Sequence, residues 1–323
     1  MRLKICTLFF SVCFTLSAWA QQEAQFSQYM FNNIYLNPAF AGLEVQPTFA
    51  LFYRAQWAGY NASFDDGGAP VTQVFSFNAP LTFANSGVAF HVVNDRLGPV
   101  NNLEAQVSYA YHMAVDGGRA KLSHGVRGGI FSQTLDYDLY RFIDENDPLL
   151  IDATGRDNQV RPDIAAGVFY SAPKFYIGAS ATRLLEAEFS FADNISNPLE
   201  RTMYVTGGYI WEVAPDWTVT PSVLVKSDFN SYSFDLSAIA TYREKFWGGL
   251  SYRDGDAAIV LLGMNVMEDK QGEVRLRAGY SFDYTVSGVQ GKSPTSHELF
   301  ITYALPRPKV GNRVQQGTPR YNH

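Results

Sequence analysis

Long runs in which apolar and polar residues alternate fill most of this chain, and after residue 20 there is no uninterrupted run of 18 or more apolar residues. From Val274 to Tyr284 one parity is Val274, Leu276, Ala278, Tyr280, Phe282 and Tyr284, and the other is Arg275, Arg277, Gly279, Ser281 and Asp283. Tyr232 to Tyr242 and Leu103 to Tyr111 repeat the pattern. Side chains of a strand alternate between its two faces, so each run is a strand with one oily and one polar side. The runs are roughly 9 to 12 residues long, which suits a tilted bilayer crossing better than an average soluble strand. Any crossing of a membrane must then be made by strands closed into a barrel, since lipid leaves no backbone hydrogen bond unpaired.

Fourteen such segments can be marked, near 47–57, 70–81, 86–94, 101–115, 119–135, 163–171, 174–182, 201–213, 217–227, 231–242, 245–253, 256–267, 273–284 and 296–305. An even count fits a single-chain bacterial barrel. Turns after the even strands are short, as at Ala84-Asn85 and Asp116-Gly117-Gly118, whereas 58–69, 136–162, 183–200 and 285–295 are long. The connections near Asp228 and Asp254 break this asymmetry. Short periplasmic turns and long external loops mark outer-membrane barrels. The expected fold is therefore all-β: a transmembrane antiparallel β-barrel of about 14 strands, with an N-terminal periplasmic or lumen-plugging segment. A soluble β-sandwich or propeller would alternate too, but with shorter strands around a shared core. Tyr109, Tyr111, Trp211, Trp217, Tyr242, Trp247, Tyr280 and Tyr284 near strand ends fit interfacial girdles.

The first residues read as an export leader. Arg2 and Lys4 precede an apolar stretch from Ile5 to Leu16, and Ala18-Trp19-Ala20 offers small residues at both recognition positions of a cut before Gln21. The organisation expected is a signal peptide at 1–20, an N-terminal segment at 21–46, the barrel at 47–305 and a C-terminal tail at 306–323. The location expected is the cell outer membrane, with the N-terminus periplasmic after cleavage near Ala20. Both cysteines, Cys6 and Cys13, lie in the leader, so the remaining chain has no disulfide, thiolate metal site or thiol nucleophile. A formal net charge of −6 speaks against a general nucleic-acid binder.

Enzymatic motifs are missing from the sequence. There is no phosphate-binding loop, no His-Glu-x-x-His and no Gly-x-Ser-x-Gly. His91, His112, His124, His297 and His323 show no helical metal spacing. His297 with Ser293 and Ser296 nearby could assemble a serine–histidine pair, but a strand start with polar lumen residues explains it more simply. The acidic stretch Asp144, Glu145, Asp147, Asp152, Asp157 and Asp163 could hold calcium yet lacks the EF-hand spacing. No enzyme activity, metal or cofactor is expected. The polar parity places Glu104, Lys226, Asp235, Arg275, Arg277, Asp283 and Glu298 toward the lumen, as a pore lining or an ion-pair network.

The segment ahead of the first strand is aromatic and amide-rich. Phe26, Met30 and Ile34 would line one side of a short helix, which Pro38 should end at Asn37. It could plug the barrel mouth, dock to a periplasmic component or simply pack beneath the barrel. Gln28, Tyr29, Met30, Phe31, Asn37 and Pro38 are its candidate docking residues.

Gln28-Tyr29-Met30-Phe31-Asn32-Asn33 followed by Asn37-Pro38-Ala39-Phe40-Ala41-Gly42 closely resembles the opening of the PorP/SprF family of the Bacteroidetes type IX secretion and gliding system. The resemblance continues through Arg54-Ala55-Gln56-Trp57, Gly68-Ala69-Pro70-Val71-Thr72-Gln73 and Val93-Asn94-Asp95-Arg96-Leu97-Gly98-Pro99. It resumes at Lys245-Phe246-Trp247-Gly248-Gly249-Leu250-Ser251-Tyr252-Arg253, Gly279-Tyr280-Ser281-Phe282-Asp283-Tyr284 and Ser296-His297-Glu298. It implies an outer-membrane protein, embedded in outer-membrane lipid, that docks or anchors a secreted protein with a C-terminal sorting domain. It also implies links to type IX secretion components in the periplasm and outer membrane, and no nucleic-acid partner. The region 136–162 and the tail after Leu305 are less family-like. The rival expectation is a channel for small solutes resembling fatty-acid transport barrels.

Overall fold

The structure, a computed structural model, describes residues 23–59, 68–81, 84–139, 155–191, 195–268, 275–286 and 294–307. The expected signal peptide and its cut site, and the tail from 308, lie outside the described residues.

The first seven strands are β1 (Thr48–Ala55), β2 (Val71–Leu81), β3 (Ser86–Leu97), β4 (Val100–Val115), β5 (Ala120–Asp136), β6 (Arg156–Ser171) and β7 (Phe175–Thr182). They are followed by β8 (Glu188–Phe191), β9 (Ile195–Pro198), β10 (Thr202–Tyr209), β11 (Trp211–Ala214), β12 (Trp217–Ser227) and β13 (Tyr232–Tyr242). The last four are β14 (Phe246–Arg253), β15 (Ala257–Glu268), β16 (Arg275–Thr285) and β17 (Thr295–Ala304). β8 and β9 pair only with each other, and β11 continues β10 past Ile210. The rest form one antiparallel sheet in which sequence neighbours are paired, β7 meets β10, β10 meets β12, and β1 meets β17. The result is a closed barrel of 14 strands. Closure leaves no open edge around the wall, which is the condition for strands to cross lipid.

Exposure decides which side is oily. On β4, Leu103, Val107, Tyr109, Tyr111 and Met113 are exposed, while Glu104, Gln106, Ser108 and His112 are buried. A water-soluble sheet would bury the apolar parity instead. Leu250, Leu262, Leu299 and Ile301 continue the outward apolar belt around the barrel. Such a belt is stable only against lipid.

Three features depart from the sequence reading. β6 begins at Arg156, seven residues before the expected start at 163, and pairs with β5 along its whole length. Arg156, Asn158, Asp157, Gln159 and Arg161 put polar groups on both parities, so the usual alternation is hidden there. Asp157 and Asp163 thus belong to a strand, and Asp163 accepts a 2.6 Å hydrogen bond from Gln106. The connection 183–200 contains the β8–β9 hairpin, whose Phe189 and Phe191 are buried with Phe131 and Leu199. Trp247 is not a girdle residue. It is buried inside the barrel, its ring stacked on Phe300, and Gly263 and Gly279 make its space: an added Cβ at Gly263 would lie 2.0 Å from the indole.

Candidate functional site

The lumen is occupied by the chain's own residues 23–47. In place of one helix, this segment makes a 3-10 turn at Tyr29–Phe31, a single α turn (α1, Asn33–Leu36) and a second 3-10 turn at Pro38–Phe40. Pro38 holds Asn37 extended at φ −147° and ψ 117°, which ends α1 where the sequence placed the stop. The segment enters at the long-connection end, beside Arg183, Arg253 and Glu298, and leaves at the short-turn end, beside Asn78 and Gly87. Inside the wall its backbone has no water, so every amide and carbonyl needs a partner.

The lower half rests on glycine. The Asn37 side chain accepts from the Ala39 amide at 2.9 Å and donates to the carbonyls of Val168 at 2.9 Å and Ala179 at 3.2 Å. One side chain thereby caps its own turn and ties it to two neighbouring strands. An added Cβ at Gly167 would lie 2.2 Å from Asn37 Oδ1, at Gly125 2.3 Å from the Ala39 nitrogen, and at Gly87 2.2 Å from Gly42 Cα. Three strands therefore lose a side chain where the run from Asn37 to Gly42 passes. Gly42 (φ +68°) turns the chain out and donates its amide to Asn78 Oδ1.

The upper half is held by charge. Glu298 accepts from the Ser27 amide at 2.8 Å and the Gln28 amide at 3.0 Å. Ser27 Oγ donates to Asp283 at 2.5 Å, and Arg54 lies 2.9 Å from Asp283 and 3.3 Å from Glu298 while also donating to Ser27 Oγ. Next to this, Arg253 pairs with Asp235 at 2.8 Å and donates to the Phe26 carbonyl at 2.9 Å. A third group joins Glu23 to Arg183 at 3.0 Å, with Tyr35 donating to Glu23 at 2.5 Å and Arg183 lying 3.6 Å from Glu104. Arg127 donates to the carbonyls of Tyr35 at 2.7 Å and Ile34 at 3.3 Å. Charges buried this deeply persist only when paired and hydrogen-bonded.

These pairings shift the segment's own titrations. Burial works against the Glu23 carboxylate, but Arg183, the Tyr35 hydroxyl and Lys226 together outweigh it and hold the group below its ordinary range. Burial pushes the Tyr29 phenol up to about 12 and, with Glu23 beside it, the Tyr35 phenol well above its ordinary value. All three favour the state in which the segment stays hydrogen-bonded at neutral pH.

Of the candidate docking residues, Gln28, Tyr29, Asn37 and Pro38 are buried in the lumen, and Met30 and Phe31 pack partly buried against the aromatic cluster of Trp247 and Phe300. They face the barrel wall and not the periplasm, because the wall supplies the partners their polar groups need. The candidate lumen residues Glu104, Asp235, Asp283 and Glu298 are all buried there, but they belong to three clusters built around the inserted segment. Arg275 and Arg277 sit at the other end, with Arg277 donating to Asn265 at 3.2 Å and lying over the Phe31 ring. Arg54, Arg127, Arg183, Arg253 and Glu23, which complete the clusters, were not singled out from sequence; Arg54 and Arg253 were visible only as members of motif blocks. His297 and Ser296 fall on opposite parities. His297 bonds Tyr280 at 2.7 Å on the outer face and Ser296 accepts the Trp57 amide inside, so they form no pair.

Little space remains. A cavity of about 20 Å³ lies among Ala24, Phe26, Tyr29, Tyr204, Lys226 and Asp235, room for about one water molecule. Above it the β8–β9 hairpin is tied to β6: the Gln159 side-chain amide accepts from the Ser190 amide at 3.2 Å and donates to the Ser190 carbonyl, and Arg161 donates to the Glu188 carbonyl at 2.9 Å.

The family model described as type IX secretion system membrane protein PorP/SprF matches residues 18–303. The chain belongs to the PorP/SprF family. No curated protein matches it. Among solved structures, this PorP/SprF barrel is similar to the CymD monoaromatic hydrocarbon channel, with 13% identity, a TM-score of 0.52, 90% of this chain and 94% of that one covered. It is also similar to the Ralstonia pickettii toluene transporter TbuX, with 12% identity, a TM-score of 0.50, and 85% and 93% covered. At such identity the likeness extends to the fold alone. The family makes this chain a membrane β-barrel of a type IX secretion system.

Proposed function

We propose that this PorP/SprF protein is an outer-membrane docking barrel, which anchors a secreted protein bearing a C-terminal sorting domain and links it to periplasmic machinery of the secretion and gliding system. The single observation that carries this reading is the filled lumen. A barrel of this size whose interior is packed with residues 23–47 leaves no path for a polypeptide, so its work falls to its two rims. The wall positions loops on one side and short turns on the other, and the inserted segment makes it rigid. Passage of the cargo belongs on this reading to a separate, larger translocon. No chemical step is assigned to the barrel, and it works without a cofactor.

The test is purification of the tagged protein from native membranes with partners identified by mass spectrometry. Co-purification of secretion components and one sorting-domain protein is the expected result. Recovery without either, together with single-channel conductance from the purified barrel, would overturn the docking role. The second reading, a channel for small solutes, draws on the fold likeness to hydrocarbon channels; it requires that conductance or a measurable solute flux.

A further inference from the structure

The inserted segment runs in a direction that bears on how the protein must mature. Glu23 lies in the half of the barrel nearer the long connections, bonded to Arg183 and Thr182 at the end of β7, and the chain descends from there to leave the lumen at Gly42. The amino-terminal side of the segment is therefore the deep side. Only two residues separate Glu23 from the expected cut after Ala20, and two residues span at most about 7 Å. The lumen around Glu23 is closed by Tyr35, Arg183, Glu104 and Thr182, and the cavity beside it has room for about one water.

We propose that removal of the leader precedes, and is required for, the seating of residues 23–42 in the barrel. The reaction class is endoproteolysis on the exported precursor. The Ala20–Gln21 peptide bond is hydrolysed with one water, leaving a carboxylate on Ala20 and an α-ammonium on Gln21. Two physical arguments support the order. An uncut leader of 20 residues, with its apolar stretch from Ile5 to Leu16, would have to thread past Glu23 through a polar, filled lumen. Burying that stretch among Glu23, Arg183, Lys226 and Asp235 would also strip these charges of partners, which is costly. The cut instead supplies a short chain end carrying one positive charge. Among the described residues that are buried, the acids Glu23, Glu104, Asp163, Asp235, Asp283 and Glu298 outnumber the bases Arg54, Arg127, Arg183, Lys226 and Arg253 by one, so a cationic chain end suits this surrounding.

The proposal is independent of what the barrel docks. It can be tested by refolding the full chain in detergent, away from the export machinery. Cys6→Ser and Cys13→Ser leave Ile34→Cys as the sole thiol, at a site that is buried when the segment is seated. One chain keeps the leader, with a site-specific protease sequence placed so that cutting leaves Gln21 as the first residue; the other starts at Gln21. The starting residue of the native protein is read by intact mass, which separates a misplaced cut from a wrong order of events. The chain starting at Gln21 should refold with Ile34→Cys protected from a bulky maleimide. The precursor should either form barrel with this thiol reactive or fail to form barrel, and cutting it should restore protection. A precursor that folds with Ile34→Cys as well protected as in the cut chain would overturn the proposal.

Discussion

Gly87 on β3 meets Gly42 of the inserted segment backbone to backbone, so close that a Cβ on Gly87 would lie 2.2 Å from Gly42 Cα and 2.4 Å from the Ala41 carbonyl oxygen. Neither partner is a side chain that can swing away. Gly87→Ala should therefore weaken the seat by about 1–3 kcal/mol, the usual cost of forcing bulk into a packed site. Gly128→Ala, where an added Cβ meets nothing within 4 Å, is the control. The check is the urea midpoint in detergent together with the reactivity of a thiol placed at Ile34. Equal behaviour of the two variants would remove the glycine seat as an explanation.

Arg54 is the counter-charge of two buried carboxylates, Asp283 and Glu298. Arg54→Met leaves both without a cation, a change that typically costs about 3–5 kcal/mol. Arg119→Met removes a pair with Asp116 whose side chains are 75% and 58% exposed, and exposed pairs contribute about 0–1 kcal/mol. Denaturant titration should separate the two variants clearly. Adding Asp283→Asn to Arg54→Met should recover part of the loss, since it removes one of the stranded charges.

The barrel was legible in the sequence because its outer surface obeys one rule: odd residues such as Leu103, Val107, Tyr109 and Tyr111 face lipid, and that parity repeats strand after strand. Where the wall rises to Arg156 the rule lapses, and with it the signal. The site was less legible. Glu104, Asp235, Asp283 and Glu298 could be placed on the inner parity, but their partners come from residues far away in the chain, as with Ser27 and Glu298, 271 positions apart. Alternation fixes a face and never a partner. The glycines at 87, 125 and 167 also carry no sign of what they accommodate. Trp247 was misplaced because an aromatic near a strand end suits a girdle and a lumen equally; the glycines at 263 and 279 across the neighbouring strands were the missing clue.

Phe189 holds the β8–β9 hairpin down. It is fully buried, 5.8 Å from the Phe131 ring, with the Arg161 guanidinium over its face. Phe189→Ala should cost about 3–5 kcal/mol locally, as for other buried aromatic truncations, because the remaining hairpin has only two strands and cannot stand alone. Limited proteolysis is the readout: cleavage between 183 and 200 should accelerate while the barrel itself stays resistant. Acceleration across the whole chain would mean that the hairpin also supports the wall.

Glu23 makes the seat sensitive to acid, in a direction that can be stated. Its carboxyl is held below the ordinary value of 4.5 in the folded protein, with Arg183, Tyr35 and Lys226 overcoming the effect of burial. A carboxyl of this kind binds its proton less tightly folded than unfolded, so its contribution is fully present above the unfolded value and is lost as pH falls through the folded one. At neutral pH Glu23→Gln should destabilise by about 3–5 kcal/mol, because Arg183 is left with the more distant Glu104 alone. Urea midpoints of the native protein and Glu23→Gln should be compared from about pH 7 to about pH 3. Other buried carboxylates titrate in both chains, so only the difference between the two curves reports on Glu23. That difference should stay constant down to about 4.5 and shrink below it. A difference that widens in acid would mean that burial, and not Arg183, governs this carboxyl.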